Sequence, residues 1–251
     1  VRGRTEPRIA TPPLVSGAPG PCGCGCALTP ETSYGFAADT FAREILLAPL
    51  DPWERYVAIH GGELLPDGSP RFATVLVLVA RQNGKTHLLV VLTLFWLFIE
   101  RIELILGTST KLDYAKESWL KAAKLARRIP ELAAEIPSRG GIRKTNGEQE
   151  MVVSAEGDAD DPDAVRYKIA ASNNEGGRSL SVGRLILDEL REHTDYSAWG
   201  GQRAHHVGGL GLPDLGAEQR WLGQVRGAQR PPQVGPGVHR DRRGRRRSGH
   251  L

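Results

Sequence analysis

The sequence predicts an α/β fold: a mainly parallel sheet flanked by helices, a small β-hairpin excursion and disordered termini. Three observations carry that expectation. Apolar runs of strand length at Val75–Val79, Ile102–Gly107 and Leu185–Leu187 alternate with segments of helical periodicity. Two of these runs lead into chemistry-bearing residues, Gly84-Lys85-Thr86 after the first and Asp188-Glu189 after the last. Finally, Asn146-Gly147 between short β-rich segments is a two-residue hairpin signal.

A chain of 251 residues is long enough to bury a sizeable core. The longest apolar stretch, Leu88 to Ile99, lies between His87 and Glu100 and is too short for a membrane span, so it reads as a buried helix. The N-terminus has no apolar signal-peptide region, and the expected location is cytoplasmic. The net charge of +4 invites a nucleic-acid reading, but its distribution argues otherwise. Residues 200–251 hold ten Arg against Asp214, Glu218 and Asp241, a balance of +7, which leaves −3 on the first 199 residues. Bulk charge therefore gives no evidence of a DNA-binding surface.

Residues 1–30 are rich in Pro, Gly and small side chains and read as a disordered arm. Within it, Cys22, Cys24 and Cys26 form a C-x-C-x-C run. Closely spaced thiolates can bind soft metals, but the usual C-x2-C spacing and a neighbouring His are both missing from this stretch. Compositional bias is the simpler reading.

Helical spacing begins with Tyr34, Phe36, Phe41, Ile45 and Leu46 and closes near Pro49. Asp51 as N-cap and Pro52 in the first turn then start a second helix through about Gly61, with Trp53 as a core anchor. A helix from Lys85 to about Arg101 follows the Val75–Val79 strand. After the Ile102–Gly107 strand, Thr108-Ser109-Thr110 cap a helix from Lys111 to Arg128. Its inner face is expected to hold Tyr114, Ala115, Trp119, Ala122 and Leu125. A short helix falls within Pro130–Pro137, Met151-Val152-Val153 pairs across the hairpin, and Arg166–Ala171 is a further strand. Gly176-Gly177-Arg178 forms a turn before the last strand.

Strand, Gly-Lys-Thr turn and helix together describe a phosphate loop. Backbone N–H groups at a helix N-terminus face an anion, Gly lets the backbone approach it, and Lys adds a point charge. The Thr hydroxyl can ligate the magnesium that accompanies a nucleotide. The pattern G-x-x-x-x-G-K-[ST] asks for Gly at position 79, where this chain has Val79. Asp188-Glu189 offers the complementary pair: one carboxylate for the magnesium shell and one to position or deprotonate water. Both groups follow strand carboxyl ends, where parallel sheets bind ligands. The expected fold is thus of P-loop NTPase type.

Leu50-Asp51-Pro52-Trp53-Glu54-Arg55, Val79-Ala80-Arg81-Gln82-Asn83-Gly84-Lys85-Thr86, Gly107-Thr108-Ser109 and Leu185 to His193 (LILDELREH) occur in an order and spacing that resembles the large terminase subunit of tailed bacteriophages and prophages. The resemblance covers residues 30–199 and includes the missing first Gly and the early Arg. It implies an ATPase motor that drives double-stranded phage DNA into a capsid through the portal protein. A small terminase subunit, a ring of like subunits and no membrane belong to the same implication.

By position, the resemblance assigns the nucleotide to Arg81, Gln82, Asn83, Gly84, Lys85, Thr86 and the Trp53 helix. It assigns Mg2+ to Thr86 and Asp188, water activation to Glu189, and an arginine-finger or phosphate-sensor role to Arg81, with ATP as the cofactor. Glu54 departs from the family, which often has Gln after this Trp.

The division expected is a 1–30 arm, a 31–199 terminase-type P-loop ATPase domain that is incomplete, and a 200–251 tail. That tail has no Lys, Ile, Phe, Tyr, Met, Asn or Thr and reads as out-of-frame translation of GC-rich DNA. On that reading the nuclease domain of the family is absent and the chain is truncated. Two alternatives go with it: an inactive prophage remnant that at most binds nucleotide, and a basic-tailed DNA-binding module.

Overall fold

The computed structural model describes residues 5–80, 82–109, 112–145, 149–171 and 181–188. Arg81, the Asn146-Gly147 turn, the Gly176–Arg178 turn, Glu189 and the 200–251 tail lie outside the described residues. The elements in chain order are α1 (Gly35–Glu44), α2 (Pro52–Gly61), α3 (Lys85–Phe98), β1 (Leu104–Ser109), α4 (Leu112–Arg128) and α5 (Pro130–Ala134). They are followed by β2 (Ile142–Arg143), β3 (Glu150–Val153), β4 (Val165–Ala171) and β5 (Arg184–Leu187).

The five strands form one sheet in the order β2-β3-β4-β1-β5. β1 is parallel to both β4 and β5, with Gly107 opposite Ile169 on one side and Ile186 on the other. β2, β3 and β4 are joined antiparallel. The sheet is therefore mixed rather than mainly parallel, because the hairpin expected as an excursion is paired into it. β1 is buried along its whole length, as its apolar composition requires of a strand covered on both faces. Ile105 joins the main core, whereas Leu104 and Leu106 meet Val182 in a small cluster of their own, following the period-two alternation of a strand.

The main core is built around α3. Leu88, Val90, Val91, Leu94, Phe95, Leu97 and Phe98 are all buried, so this helix is surrounded by protein on most sides. Phe95 meets Phe41 of α1 edge-on at 6.0 Å and stacks with Tyr34 at 6.1 Å. α4 seats the sheet through Trp119, which is fully buried and donates its indole N–H to the Tyr167 carbonyl at 3.4 Å. The inner stripe of α4 is Ala115, Ser118, Trp119, Ala122, Ala123 and Ala126. Tyr114, expected there, is 45% exposed: it lies one residue before the stripe, and the small Ala115 makes the close approach instead.

One buried charge ties the antiparallel half together. Glu150 is paired with Arg143 at 3.5 Å, Arg166 at 3.9 Å and Lys168 at 3.2 Å. Arg143 and Lys168 are its direct cross-strand partners. Glu150→Ala leaves three like charges on one sheet face. The cations retain access to water, so the expected cost is about 1–2 kcal/mol, between exposed and buried pairs, read as a lower denaturant midpoint.

Two expectations are corrected. Val75–Val79 forms no strand: Leu76 is 60% and Leu78 85% exposed, and the segment is absent from the sheet. A β-branched run extends easily, but a strand exists only where a neighbour takes its N–H and C=O groups. The arm is also less free than its composition suggested. From Pro12 on it is fastened: the Pro12 carbonyl accepts from Arg71, the Leu14 N–H donates to Glu63, and the Cys22 carbonyl accepts from Arg55. Leu28 is fully buried against Phe36 and Ile59.

Candidate functional site

The Gly84-Lys85-Thr86 turn opens α3, as expected. Gly84 is the N-cap with φ +87°, a left-handed conformation. A Cβ there would come within 2.8 Å of Glu54 Oε1, so both conformation and space call for Gly. Lys85 and Thr86 occupy the first helical turn, where a helix leaves N–H groups without an intrahelical acceptor; the His87 N–H that follows donates to the Gly84 carbonyl at 2.7 Å. The first-turn N–H dipoles point out of the helix end, in the geometry that receives an anion. Before Gly84, Gln82 also has a positive φ of +62°, and Asn83 Nδ2 donates to the Ala80 carbonyl at 3.2 Å, closing the turn.

The start of α2 supports this loop. Asp51 and Pro52 begin the helix, and Glu54 accepts the Asp51 N–H at 2.8 Å, half of a capping box. The same carboxylate oxygen lies 3.0 Å from His87 Nδ1 in the first turn of α3. Glu54 is fully buried, and its other oxygen, beside Gly84, has no hydrogen-bond partner among the described residues. Trp53, one residue earlier, is partly buried against the main core. Thus the Asp-Pro-Trp-Glu segment and the Gly-Lys-Thr segment, about 30 residues apart in sequence, form one structural unit.

The hydrogen bond to Glu54 raises the His87 pKa above its ordinary 6.5, with burial opposing and the carboxylate charge assisting. A raised folded-state pKa means that the pair stabilises the protein below about pH 6.5. That contribution is lost as pH rises through the folded value. The stability gap between the parent and His87→Gln is therefore expected to be widest near about pH 6 and to close toward about pH 9. Thermal midpoints of both proteins across that range check it.

On the sheet, β5 delivers Asp188 beside the end of β1. The Asp188 N–H donates to the Thr108 carbonyl at 3.1 Å, continuing the parallel ladder one residue past the strand. Thr108 and Ser109 end β1 with buried hydroxyl oxygens that have no hydrogen-bond partner among the described residues. Burial, and secondarily the Asp188 charge, raises the Tyr167 hydroxyl pKa well above its usual value. By the alternation of the strands, Ser109 shares a sheet face with Asp188 and Thr108 lies on the other, so the carboxyl ends of β1 and β5 place one underused hydroxyl on the carboxylate's face. Arg81 and Glu189 lie outside the described residues.

Glu54 and His87 were not among the residues singled out for the site. Asp51 reads as an N-cap in the sequence, but nothing there announces that Glu54 reaches a helix about 30 residues on. No protein-family model, curated protein or solved structure matches the chain. Among the described residues no helix is long and apolar enough to cross a membrane.

Proposed function

We propose that the chain is a Mg2+-dependent ATPase domain of the phage terminase large-subunit type. The observation that carries the reading is the Gly84-Lys85-Thr86 turn: a left-handed Gly followed by Lys and Thr at the N-terminus of a 14-residue helix. The buried Ser109 hydroxyl on the Asp188 face, which has no partner among the described residues, supports it, since polar groups out of water ordinarily find a partner. These donors suit a magnesium nucleotide. Gln82 through Thr86 would hold the phosphates, Thr86 and Asp188 the Mg2+, and the Trp53 segment the base. Magnesium supplies neutralisation of charge on the terminal phosphates. Lys85 and the free N–H groups hold the phosphates in place, and Glu189 orients or deprotonates water. Double-stranded phage DNA, a portal protein, a small terminase subunit and the host cytoplasm are proposed with this reading, on the resemblance alone.

A second reading, nucleotide binding without turnover, is favoured by one observation: Val75–Val79 leads into the loop from outside the sheet. A loop entered by a segment that is not part of the sheet is held less firmly for chemistry than for binding. Magnesium-ATP added to the full chain is expected to raise its thermal midpoint, and phosphate release separates the two readings. Absence of any rise at millimolar nucleotide sinks both.

A further inference from the structure

The cysteine-rich arm has a partner that its sequence does not reveal. In an extended chain Cys22, Cys24 and Cys26 would share one face but stand about 6.6–6.8 Å apart at each step. Here the run is curled. Gly23 has φ +81° and Gly25 φ +84°, and a Cβ on either would meet open space. These glycines therefore serve the backbone conformation rather than close packing. The curl brings Cys22 Sγ to 3.1 Å and Cys24 Sγ to 3.2 Å from Cys26 Sγ, with all three sulfurs within 4.8 Å of one another.

The turn is locked from three sides. The Gly20 N–H donates to the Cys26 carbonyl at 2.6 Å, Arg55 holds the Cys22 carbonyl at 2.6 Å, and the Cys24 N–H donates to Cys22 Sγ at 3.2 Å. An N–H directed at sulfur is the contact that a thiolate accepts.

Histidine is distant in sequence but not in space. His60, in the last turn of α2, places Nε2 3.3 Å from Cys24 Sγ. Its ring is fixed by stacking on Tyr56, with centroids 3.9 Å apart and planes 11° from parallel. Cys22 is buried beside Leu28, Phe36 and Ile59, and Val15, Cys24 and Cys26 pack against that cluster.

We propose that Cys22, Cys24, Cys26 and His60 form a tetrahedral site for Zn2+, with three thiolates and one imidazole, that clips the arm to the end of α2. Four protein ligands leave no open position, so the site is structural rather than catalytic. Zn–S bonds of about 2.3 Å and a Zn–N bond of about 2.0–2.1 Å set ligand separations near 3.5–3.8 Å. The 3.1 and 3.2 Å sulfur contacts reach that by spreading about half an ångström, while the His60 ring, now 3.3 Å from Cys24 Sγ and outside the close group of the three sulfurs, must turn inward to complete the set. Three thiolates in the set favour zinc over hard, oxygen-seeking cations. Binding releases the remaining thiol protons to solvent and involves no change of oxidation state. This site is independent of the nucleotide reading.

The test uses the full chain, purified under a phosphine reductant. Elemental analysis is expected to find one zinc per chain. Cobalt substitution is expected to give thiolate charge-transfer absorption and the visible bands of a tetrahedral ion. His60→Ala is expected to weaken binding by at least the roughly 10–100-fold that loss of an outer hydrogen-bond partner costs a metal site. His60→Cys keeps the metal, now held by four thiolates, and raises the charge-transfer intensity by about one third, from three thiolates to four. Because Cys24→Ser can unfold the arm, the parent is also titrated with a chelator, which lowers its thermal midpoint reversibly. The proposal is overturned by reduced protein without stoichiometric zinc, by an octahedral cobalt spectrum, or by a His60→Ala protein with unchanged spectrum and affinity. A disulfide within Cys22–Cys26 in air, together with no metal under reductant, overturns it equally.

Discussion

Lys85→Ala is expected to remove most magnesium-ATP binding and to lower any phosphate release at least about 100-fold. Lys85 lies in the first turn of α3, after the left-handed Gly84. Its ammonium adds a full charge where the helix end supplies only a partial one. A hydrogen bond to a charged group contributes about 1.5–3 kcal/mol, which corresponds to roughly 10–100-fold in affinity. The larger effect on turnover follows from charge that develops on the transferring phosphoryl group. The fold itself has little stake in this side chain, which is neither in the core nor in an ion pair with a described residue. Without nucleotide, the variant's midpoint should stay within about 0.5 kcal/mol of the parent. Lys85→Arg keeps the charge but replaces a compact donor with a planar fork, and an intermediate loss is expected. Unchanged hydrolysis in Lys85→Ala would falsify the assignment of the loop.

The largest effect on stability is expected from Trp119→Ala, about 3–5 kcal/mol. Trp119 is wholly buried on α4 and touches the sheet through the Tyr167 carbonyl. Its removal opens a cavity between the helix layer and β4 and deletes the indole hydrogen bond to the Tyr167 carbonyl, which keeps its place in the β3–β4 ladder. A domain of ordinary stability has only about 5–15 kcal/mol in all, so the variant should populate unfolded protein at moderate temperature. Trp119→Phe refills much of the space and loses only the hydrogen bond, about 1–2 kcal/mol by the usual range. Guanidinium unfolding of the three proteins reads both numbers. A cost under about 1 kcal/mol for the alanine variant would mean that α4 is not seated on the sheet as described.

Much of the local structure was legible in the chain. The Asp51-Pro52 start of α2, the apolar α3 and the strands flanking Asn146-Gly147 follow from caps, periodicity and turn chemistry, all set within a few residues. The same holds for the Gly-Lys-Thr turn at a helix start. Val75–Val79 shows the limit. Its composition is that of a strand, yet composition cannot supply the neighbour that a strand requires, and the segment stays exposed.

The sequence by itself determined where the helices begin, where most of the strands lie, and that a Gly-Lys-Thr turn opens a helix. These depend on dihedral preference and on neighbours three or four positions away. Only the tertiary structure decided that β2 and β3 join β4 in one mixed sheet. It alone placed the Glu54 carboxylate under Gly84 and against His87, and turned His60 toward three thiols some 34 to 38 positions earlier. Those contacts arise when buried side chains from separate elements must share one core. That constraint acts through space and leaves no spacing in the sequence.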